Sequence, residues 1–421
     1  MKAYLAVLLL LPALISAKFC EDAPNSGMAL DKQNNLYRGQ QEFSVSMLDA
    51  IRKATPNDNV FFSPYSTYHA LLLAYFGASH DTESELKSVL RLDDKLSKEA
   101  VRSAYRFEKL DRESRAPKMP LIFSSADRLY FDKNVALASC VETRLHEEVV
   151  QLNFGEKAEE SRQQINAWIA NVTHNEIRDM LASGDIDSNT QLVLANAAYF
   201  KGQWQSRFKA DNTQQMPFYT SSEKVSFVPM MKQKGNFLLN TDERLGAHVL
   251  QLPYRTSNAE TEYPEDAEIS MVIILPSVSN DSIERVLSRL NADTLSASLR
   301  EASMREIEVS LPKFEFEQRL ELVPILRQMG VNKIFDSGAS FNDFTLNQEI
   351  VFSDAKHLAK IKVDEEGSTA AAATVLVSFR SARPVEPTKF ECNHPFVFLI
   401  FDKKSNAVLF TGIYRDPKTM K

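Results

Sequence analysis

Cysteine and glycine are scarce in this chain of 421 residues, and their scarcity excludes several kinds of site. The three cysteines are Cys20, Cys140 and Cys392, an odd number with no Cys-x-x-Cys spacing. They predict neither a disulfide framework nor a structural zinc site, so we expect packing to stabilise the fold. Twelve glycines leave little material for a phosphate-binding loop, and no such loop is apparent. The sequence therefore predicts no metal and no nucleotide cofactor.

A recognisable catalytic constellation is also lacking. The seven histidines include no His-Glu-x-x-His pair. Ser63 stands between Phe62 and Pro64, without the flanking glycines of a nucleophile elbow. Nothing near His357 or His394 supplies a nucleophile, so buried hydrogen-bonding roles are favoured for both. We predict that the protein is not an enzyme.

Basic charge is in the minority, since the net charge is -7 and the isoelectric point is near 5.7. This balance argues against a nucleic acid as the main partner. One local exception is the set Lys98, Arg102, Arg106 and Lys109, which is spaced to share a helical face. The set is either a solvated helix surface or a site for a polyanion such as a heparin-like glycan.

Long apolar runs are absent except at the N-terminus. Residues 1–17 combine a charged start, a short apolar run and small residues at the end, which predicts a secretory signal peptide. No later stretch is apolar enough to predict a membrane span, so we expect a secreted, extracellular protein. In that setting the sequons at Asn171 and Asn280 become candidate glycosylation sites, Asn280 by its loop-like surroundings and Asn171 inside a helical pattern.

The apolar periodicity changes along the chain. Phe43, Met47 and Ile51 recur at helical spacing, and residues 71–76 predict a more deeply buried helix. Later, residues 306–311 alternate between polar and apolar, and residues 397–401 and 408–410 flank a polar turn, which predicts strands and a hairpin. Helices and strands follow each other without regular alternation, so an α+β fold is favoured.

Four segments carry a resemblance to a known family. Residues 59–66 read NVFFSPYS, residues 166–169 read NAWI, residues 196–204 read NAAYFKGQW and residues 390–400 read FECNHPFVFLI. In this order they resemble the serpin family, and the resemblance extends from about residue 39 to residue 417. The sequence is similar in overall style to the serpins of arthropod haemolymph.

The resemblance implies one serpin domain over residues 39–417, after the signal peptide and an N-terminal extension at residues 18–38. It implies three β-sheets, eight or nine helices and an exposed reactive loop at about residues 364–388. In the family a target protease attacks this loop and forms an acyl-enzyme, and the cut loop then inserts into the central sheet, a recognised instance of strand addition. A monomer that forms a covalent complex with its protease is expected.

The start of this loop meets the demands of insertion. A segment that becomes buried between strands should carry small, uncharged side chains, whereas non-inhibitory members of the family typically carry charged, bulky or proline residues there. Gly367 offers the backbone freedom of a hinge. The residues from Ser368 to Thr374 meet the demand for small, uncharged side chains, and the acidic residues before Gly367 resemble the approach to the hinge in the family. The hinge residues are Glu365, Glu366, Gly367, Ser368, Thr369, Ala370, Ala371, Ala372, Ala373 and Thr374.

The resemblance also implies the region of the bond that is cut and a switch for sheet opening. The family spacing, counted from Gly367, points to Ser381 as the residue before the cut. We predict cleavage between Arg380 and Ser381, because arginine fits the acidic specificity pocket of trypsin-like proteases. Cleavage after Ser381 or after Arg383 stays open as an alternative. Ser63, Asn196 and His357 match positions that the family uses to hold the sheet closed by hydrogen bonds.

These inferences predict a secreted, single-use inhibitor of trypsin-like serine proteases that restrains an extracellular cascade of the immune, Toll or melanisation type. One alternative is a non-inhibitory serpin that acts as a carrier or storage protein, and the other is a protein that uses the same fold for receptor-type binding. The sequence does not name the target protease.

Overall fold

In the computed structural model, helices dominate the first part of the chain and strands dominate the rest. The structure describes residues 30–256, 267–279, 281–345, 350–367 and 387–417, with side chains from residue 36 onward. The helices in these residues are α1 (Leu30–Ala54), α2 (Pro64–Gly77), α3 (His80–Val89), α4 (Lys98–Arg115), α5 (Ser139–Arg144), α6 (Phe154–Val172), α7 (Ser282–Arg289), α8 (Ala292–Arg300) and α9 (Leu322–Gln328). The strands are β1 (Val60–Phe62), β2 (Ile122–Asp132), β3 (Val149–Leu152), β4 (Leu192–Lys201), β5 (Gln214–Tyr219), β6 (Val225–Asp242), β7 (Ala247–Pro253), β8 (Ile269–Pro276), β9 (Ser303–Pro312), β10 (Phe314–Glu321), β11 (Phe352–Val363), β12 (Thr388–Glu391), β13 (Phe396–Asp402) and β14 (Ala407–Tyr414).

Five strands form the central sheet, in the order β10-β11-β4-β2-β3. Strand β11 is antiparallel to β10 but parallel to β4, and β4 is antiparallel to β2. The β11–β4 pairing runs from Phe352 opposite Leu192 to Ile361 opposite Phe200. A parallel pair therefore lies in the middle of a sheet whose other long pairings are antiparallel.

The remaining strands join through the long strand β6. The first part of β6 pairs with β5 and most of its length with β9, which in turn pairs with β12. The end of β6 pairs with β7, and the order then continues through β8, β13 and β14 to β1. Because β6 pairs with β9 along one part of its length and with β7 along another, this connected sheet has two parts. These two parts and the central sheet give three sheets in all. The predicted α+β serpin fold is confirmed.

The elements form where the sequence patterns predicted them. Phe43, Met47 and Ile51 are all buried on α1, and every residue of α2 is buried. Helix α2 begins with Pro64 at its first position, where a missing N–H costs no hydrogen bond, and the Ser63 hydroxyl caps it by accepting from the Ser66 amide at 3.1 Å. The hairpin of β13 and β14 is antiparallel, as expected.

The central sheet is covered on both faces. On one face, Val193, Ala195 and Ala197 of β4 pack in a cluster with Ile165 and Ile169 of α6. The alternate residues of β4 point to the opposite face, where α2 lies, because successive side chains of a strand alternate. Polar residues on this inner face must find partners inside the protein.

The N-terminal boundary falls inside a helix. Helix α1 begins at Leu30, within the predicted extension at residues 18–38, and Leu36 and Tyr37 are already buried. The predicted signal peptide at residues 1–17 lies outside the described residues. Among the helices of the described segments, none is both long and apolar enough to span a membrane.

The cysteines differ from the sequence-based expectation in one respect. Cys392 is a free, fully buried thiol, but Cys140 takes part in a disulfide bond. A bond within one molecule would have to use Cys20, since the chain has no other cysteine, and Cys20 lies outside the described residues. Spacing alone gave no sign of this bond, because sequence distance does not report which thiols meet in the fold.

Candidate functional site

The predicted reactive loop connects two different parts of the fold. It leaves the central sheet at the end of β11, at Val363, and returns at Thr388 as β12, which pairs with β9. Most of the predicted site lies outside the described residues. These positions are the hinge residues Ser368, Thr369, Ala370, Ala371, Ala372, Ala373 and Thr374, the predicted scissile residues Arg380 and Ser381, and the alternative Arg383.

The first loop residues, Asp364–Gly367, form the hinge base and are held against the segment that follows β4. The Trp204 amide donates to the Glu366 carbonyl at 3.2 Å, and the Phe208 amide donates to the Glu365 carbonyl at 3.0 Å. The Trp204 indole N–H donates to the Asp364 carbonyl at 2.8 Å. The hinge base is thus anchored where β4 and β11 end side by side.

The Glu365 side chain adds an electrostatic anchor. Its carboxylate accepts from the Thr213 hydroxyl at 2.7 Å and lies 2.7 Å from the Lys313 ammonium group. Burial raises the pKa of Glu365, but the hydrogen bonds from Lys313 and Thr213 outweigh burial and leave the pKa lowered. Glu365 therefore stays ionised at neutral pH and holds the loop's first residues in place.

Gly367 sits in a space that admits no side chain. Its φ is +75°, and a Cβ atom would lie 2.4 Å from the Trp204 nitrogen and 2.6 Å from the Gly202 oxygen. A glycine is needed there both for the left-handed conformation and for the close approach of two backbones. The hinge role of Gly367 stays a prediction.

Ser63, Asn196 and His357, which we call the closure cluster, lie together in the structure. Asn196 on β4 pairs in register with His357 on β11, and both side chains are fully buried. The Ser63 amide donates to His357 Nε2 at 2.9 Å, and His357 Nδ1 is hydrogen-bonded to Asn196 Oδ1. The Ser63 hydroxyl donates to the Leu409 carbonyl of β14 at 2.7 Å. The cluster links β4, β11, α2 and β14.

The hydrogen bonds determine the tautomer of His357. Since Nε2 accepts from the Ser63 amide, the ring proton of the neutral imidazole is on Nδ1 and is donated to Asn196 Oδ1. Burial lowers the pKa of His357 to about 3, although the interaction with Asn196 partly opposes this. The ring is neutral throughout the physiological pH range.

The sequence missed three polar residues that surround this cluster. Thr67 donates to the Ser63 carbonyl at 3.0 Å, and the Ser66 hydroxyl donates to Asp127 Oδ1 at 2.6 Å. Asn196 Nδ2 donates to both Ser66 Oγ and Asp127 Oδ1. One signal was available, since Asp127 is a charged residue on the face of β2 that also carries the buried Leu129.

The two candidate glycosylation sites fare differently. Asn171 is exposed on the last turn of α6, while Thr173 of the same sequon is buried and donates to the Ile169 carbonyl at 2.8 Å. An exposed asparagine is compatible with a glycan. Asn280 lies outside the described residues.

Three of the four basic residues predicted to share a face of α4 form ion pairs with carboxylates. The fourth, Arg106, is exposed. The pairs are Lys98 with Glu83 and Asp343, Arg102 with Glu99, and Lys109 with Glu147 and Glu148. This arrangement favours a solvated, ion-paired helix surface over a polyanion site, which stays a prediction. Within the described segments, no group of three or more His, Cys, Asp or Glu side chains is placed to hold a metal ion.

Replacement of Gly367 by alanine should destabilise the native protein more than the same replacement at Gly184. Both glycines have positive φ, which costs an L-residue about 1–2 kcal/mol, but only Gly367 has backbone atoms where the Cβ would lie. We expect an additional cost of about 1–3 kcal/mol at Gly367 from this crowding. Urea unfolding midpoints of Gly367→Ala and Gly184→Ala test this, and equal midpoints would contradict the crowding.

Comparisons with known proteins agree with this geometry. The family model described as serpin (serine protease inhibitor) matches residues 38–417. Serine protease inhibitor 88Ea of Drosophila melanogaster is 61% identical over 423 residues, covering 99% of each chain. Leukocyte elastase inhibitor of Bos taurus is 32% identical, over 89% of this chain and 97% of its own. The structure of human thyroxine-binding globulin shares the fold, with a TM-score of 0.78 at 23% identity over 92% of this chain and 99% of its own. The chain belongs to the serpin family.

Proposed function

We propose that the protein is a secreted inhibitor that traps a trypsin-like serine protease by inserting its cleaved reactive loop into the central sheet. One observation carries the proposal: β4 and β11 are parallel neighbours, and the loop begins at the end of β11. A loop segment that turned back between them would be antiparallel to both. Both sides of the new strand would then form antiparallel pairings, in place of one parallel pairing.

The composition of the hinge supports insertion. Residues 368–374 read STAAAAT, so no charged or bulky side chain would have to be desolvated on entering the sheet. About a dozen new ladder hydrogen bonds, at roughly 1 kcal/mol net each, amount to as much as the stability of a whole domain. The secreted form would therefore be kinetically trapped above a more stable inserted form.

The proposed chemistry uses the peptide bond between Arg380 and Ser381. The serine hydroxyl of the protease attacks the Arg380 carbonyl carbon, the peptide bond breaks, and the amino group of Ser381 leaves with the proton. An ester between Arg380 and the protease remains, and insertion of the loop would distort the protease before water hydrolyses it. Cleavage after Ser381 or Arg383 remains the alternative.

The wider role is an extension of the same proposal. The signal-like N-terminus supports secretion, and 61% identity to a Drosophila protein named serine protease inhibitor 88Ea supports protease inhibition. Restraint of an extracellular cascade of the immune, Toll or melanisation type is the role that we add to this proposal. A carrier role is the second candidate, because thyroxine-binding globulin, which was solved with thyroxine, shares the fold. The small, uncharged residues 368–374 favour inhibition over a carrier role.

Cleavage of the loop should raise the thermal stability of the protein. A limited digest that cuts only at residues 380–383 would leave residues 368–380 free at one end for insertion, and the melting temperature of the cleaved protein should exceed that of the intact one. Differential scanning fluorimetry before and after the digest measures this. An unchanged melting temperature would contradict insertion.

Replacement of Arg380 by alanine should abolish the trapping of trypsin, because the arginine would enter the acidic pocket of the protease. The measurement is a denaturing gel of the mixture, scored for a complex larger than either protein. Arg383→Ala serves as the matched control and should still form the complex. Undiminished trapping by Arg380→Ala would remove Arg380 from this role.

Replacement of Ala370 by arginine should convert the inhibitor into a substrate. A charged side chain would have to be buried during insertion, so the acyl-enzyme should hydrolyse before the loop has entered the sheet. The gel should then show cleaved inhibitor and free protease, whereas Ala370→Ser should behave as the unchanged chain. A stable complex with the arginine variant would show that residue 370 does not enter the sheet.

A further inference from the structure

We propose that Asp127 is a further positioning residue of the closure cluster, and that its carboxyl group makes the closure of β4 against β11 depend on pH. The biological consequence of this inference rests on the proposed function, because closure matters to inhibition only if the loop inserts between β4 and β11. The closure itself consists of contacts that exist without any protease.

Asp127 lies in one row with two members of the closure cluster. In the register of the central sheet, Asp127 on β2 is opposite Asn196 on β4, which is opposite His357 on β11. The inserting loop would separate Asn196 from His357 and leave Asn196 beside Asp127. Asp127 is therefore placed to act on the contact that must break.

The Asp127 carboxyl accepts from three donors. Oδ1 accepts from the Ser66 hydroxyl at 2.6 Å and from Asn196 Nδ2, and Oδ2 accepts from the Ser125 hydroxyl at 2.6 Å. An ionised carboxylate can only accept, so it satisfies all three donors at once. A protonated carboxyl can still accept through both oxygens but has lost its charge, so the charge-assisted hydrogen bonds from Asn196, Ser66 and Ser125 weaken.

The ionised carboxylate, together with Ser66 Oγ, which also accepts from Nδ2, fixes the orientation of the Asn196 amide. With Nδ2 directed to Asp127, Oδ1 is presented to the Nδ1 proton of His357, and Nε2 remains free to accept from the Ser63 amide. If the amide turned over, its NH2 group would face the Nδ1 proton, and two donors would meet. Asp127 thus acts on His357 through Asn196.

Hydrogen-bond cooperativity gives the sign of the effect. An amide whose oxygen accepts a hydrogen bond donates more strongly through its nitrogen, so closure by His357 stabilises the ionised form of Asp127. By linkage, ionisation of Asp127 must favour closure to the same extent. Closure should therefore strengthen as the pH rises through the pKa of Asp127.

The position of this titration is set mainly by burial. Burial raises the pKa of Asp127 to about 7, although the hydrogen bonds from Ser125, Ser66 and Asn196 and the charge of Lys109 on α4 oppose the shift. The Asp127 residue keeps some solvent exposure, so protons can reach it. The change in the charge of Asp127 therefore falls near neutral pH.

Other titratable groups face this region from the elements packed against it. Burial raises the pKa of Tyr65 on α2 and of Tyr105 on α4 above the ordinary tyrosine value, and it lowers the pKa of His69 and His357. None of these four changes charge between about pH 6 and pH 8. Burial also raises the pKa of Glu108 on α4, whose carboxylate is bound by Arg112. A variant at Asp127 is therefore needed to distinguish the titration of Asp127 from that of Glu108.

The Ser63 amide provides a local measurement, because it donates to His357. Hydrogen exchange resolved to this amide, and corrected for the intrinsic pH dependence of exchange, should show about tenfold greater protection at about pH 8 than at about pH 6, which corresponds to roughly one hydrogen bond. Asp127→Asn should show equal protection at both pH values. The matched control, Asp185→Asn, removes a carboxylate 2.8 Å from Lys356, beside His357, and should keep the tenfold step.

Three outcomes would overturn the proposal: protection in the unchanged protein that does not vary with pH, protection that falls as the pH rises, or a step that persists in Asp127→Asn. A fall is expected if Asp127 acts only through burial, because a carboxyl with a raised pKa in the folded state destabilises that state as the pH rises from about 4 to 7. If the Asp127→Asn variant does not fold, the dependence of Ser63 protection on pH in the unchanged protein still tests the proposal. No protease enters this experiment, so failure to trap trypsin would contradict only the proposed function.

Discussion

The parallel pairing of β4 with β11 is the interaction on which the rest of the structure depends. It closes the middle of the central sheet, and its two strands end beside the hinge base, where the reactive loop begins. A parallel pair is slightly less stable per residue than an antiparallel one. The protein reinforces it with buried polar contacts, because Asn196 and His357 face each other across the pair and Ser63 connects them to α2. Closure therefore depends on a few directional hydrogen bonds as well as on apolar packing.

The sequence predicted the fold well because its patterns are local. Alternation at Ile307, Val309 and Leu311 and helical spacing at Phe43 and Met47 identify elements without knowledge of their partners. The three-sheet arrangement came from the resemblance to the serpins. No local pattern indicates that one strand, β6, serves two parts of a connected sheet, since that is a matter of register along eighteen residues. The disulfide at Cys140 was missed for a similar reason.

The candidate site was predicted in part. The resemblance supplied Ser63, Asn196, His357 and the hinge at Gly367, and the chemistry of glycine fits that hinge. Asp127 was not found, although it belongs to the same pattern: on three neighbouring strands, a polar residue occupies a position that faces the interior. A sequence shows each such residue separately, but only the register shows that the three form one row. The contacts of Glu365 with Thr213 and Lys313 depend on the same long-range pairing.

The two ends of the reactive loop belong to different sheets, and this determines what a cut would leave behind. Everything after the cut would be held without a peptide link, by strand pairing, side-chain hydrogen bonds and apolar packing. Strand β13 lies between β8 and β14 with every residue buried. Such a segment cannot diffuse away while the fold persists. A nicked molecule would behave as one particle in native solution and would come apart into two chains only on denaturation.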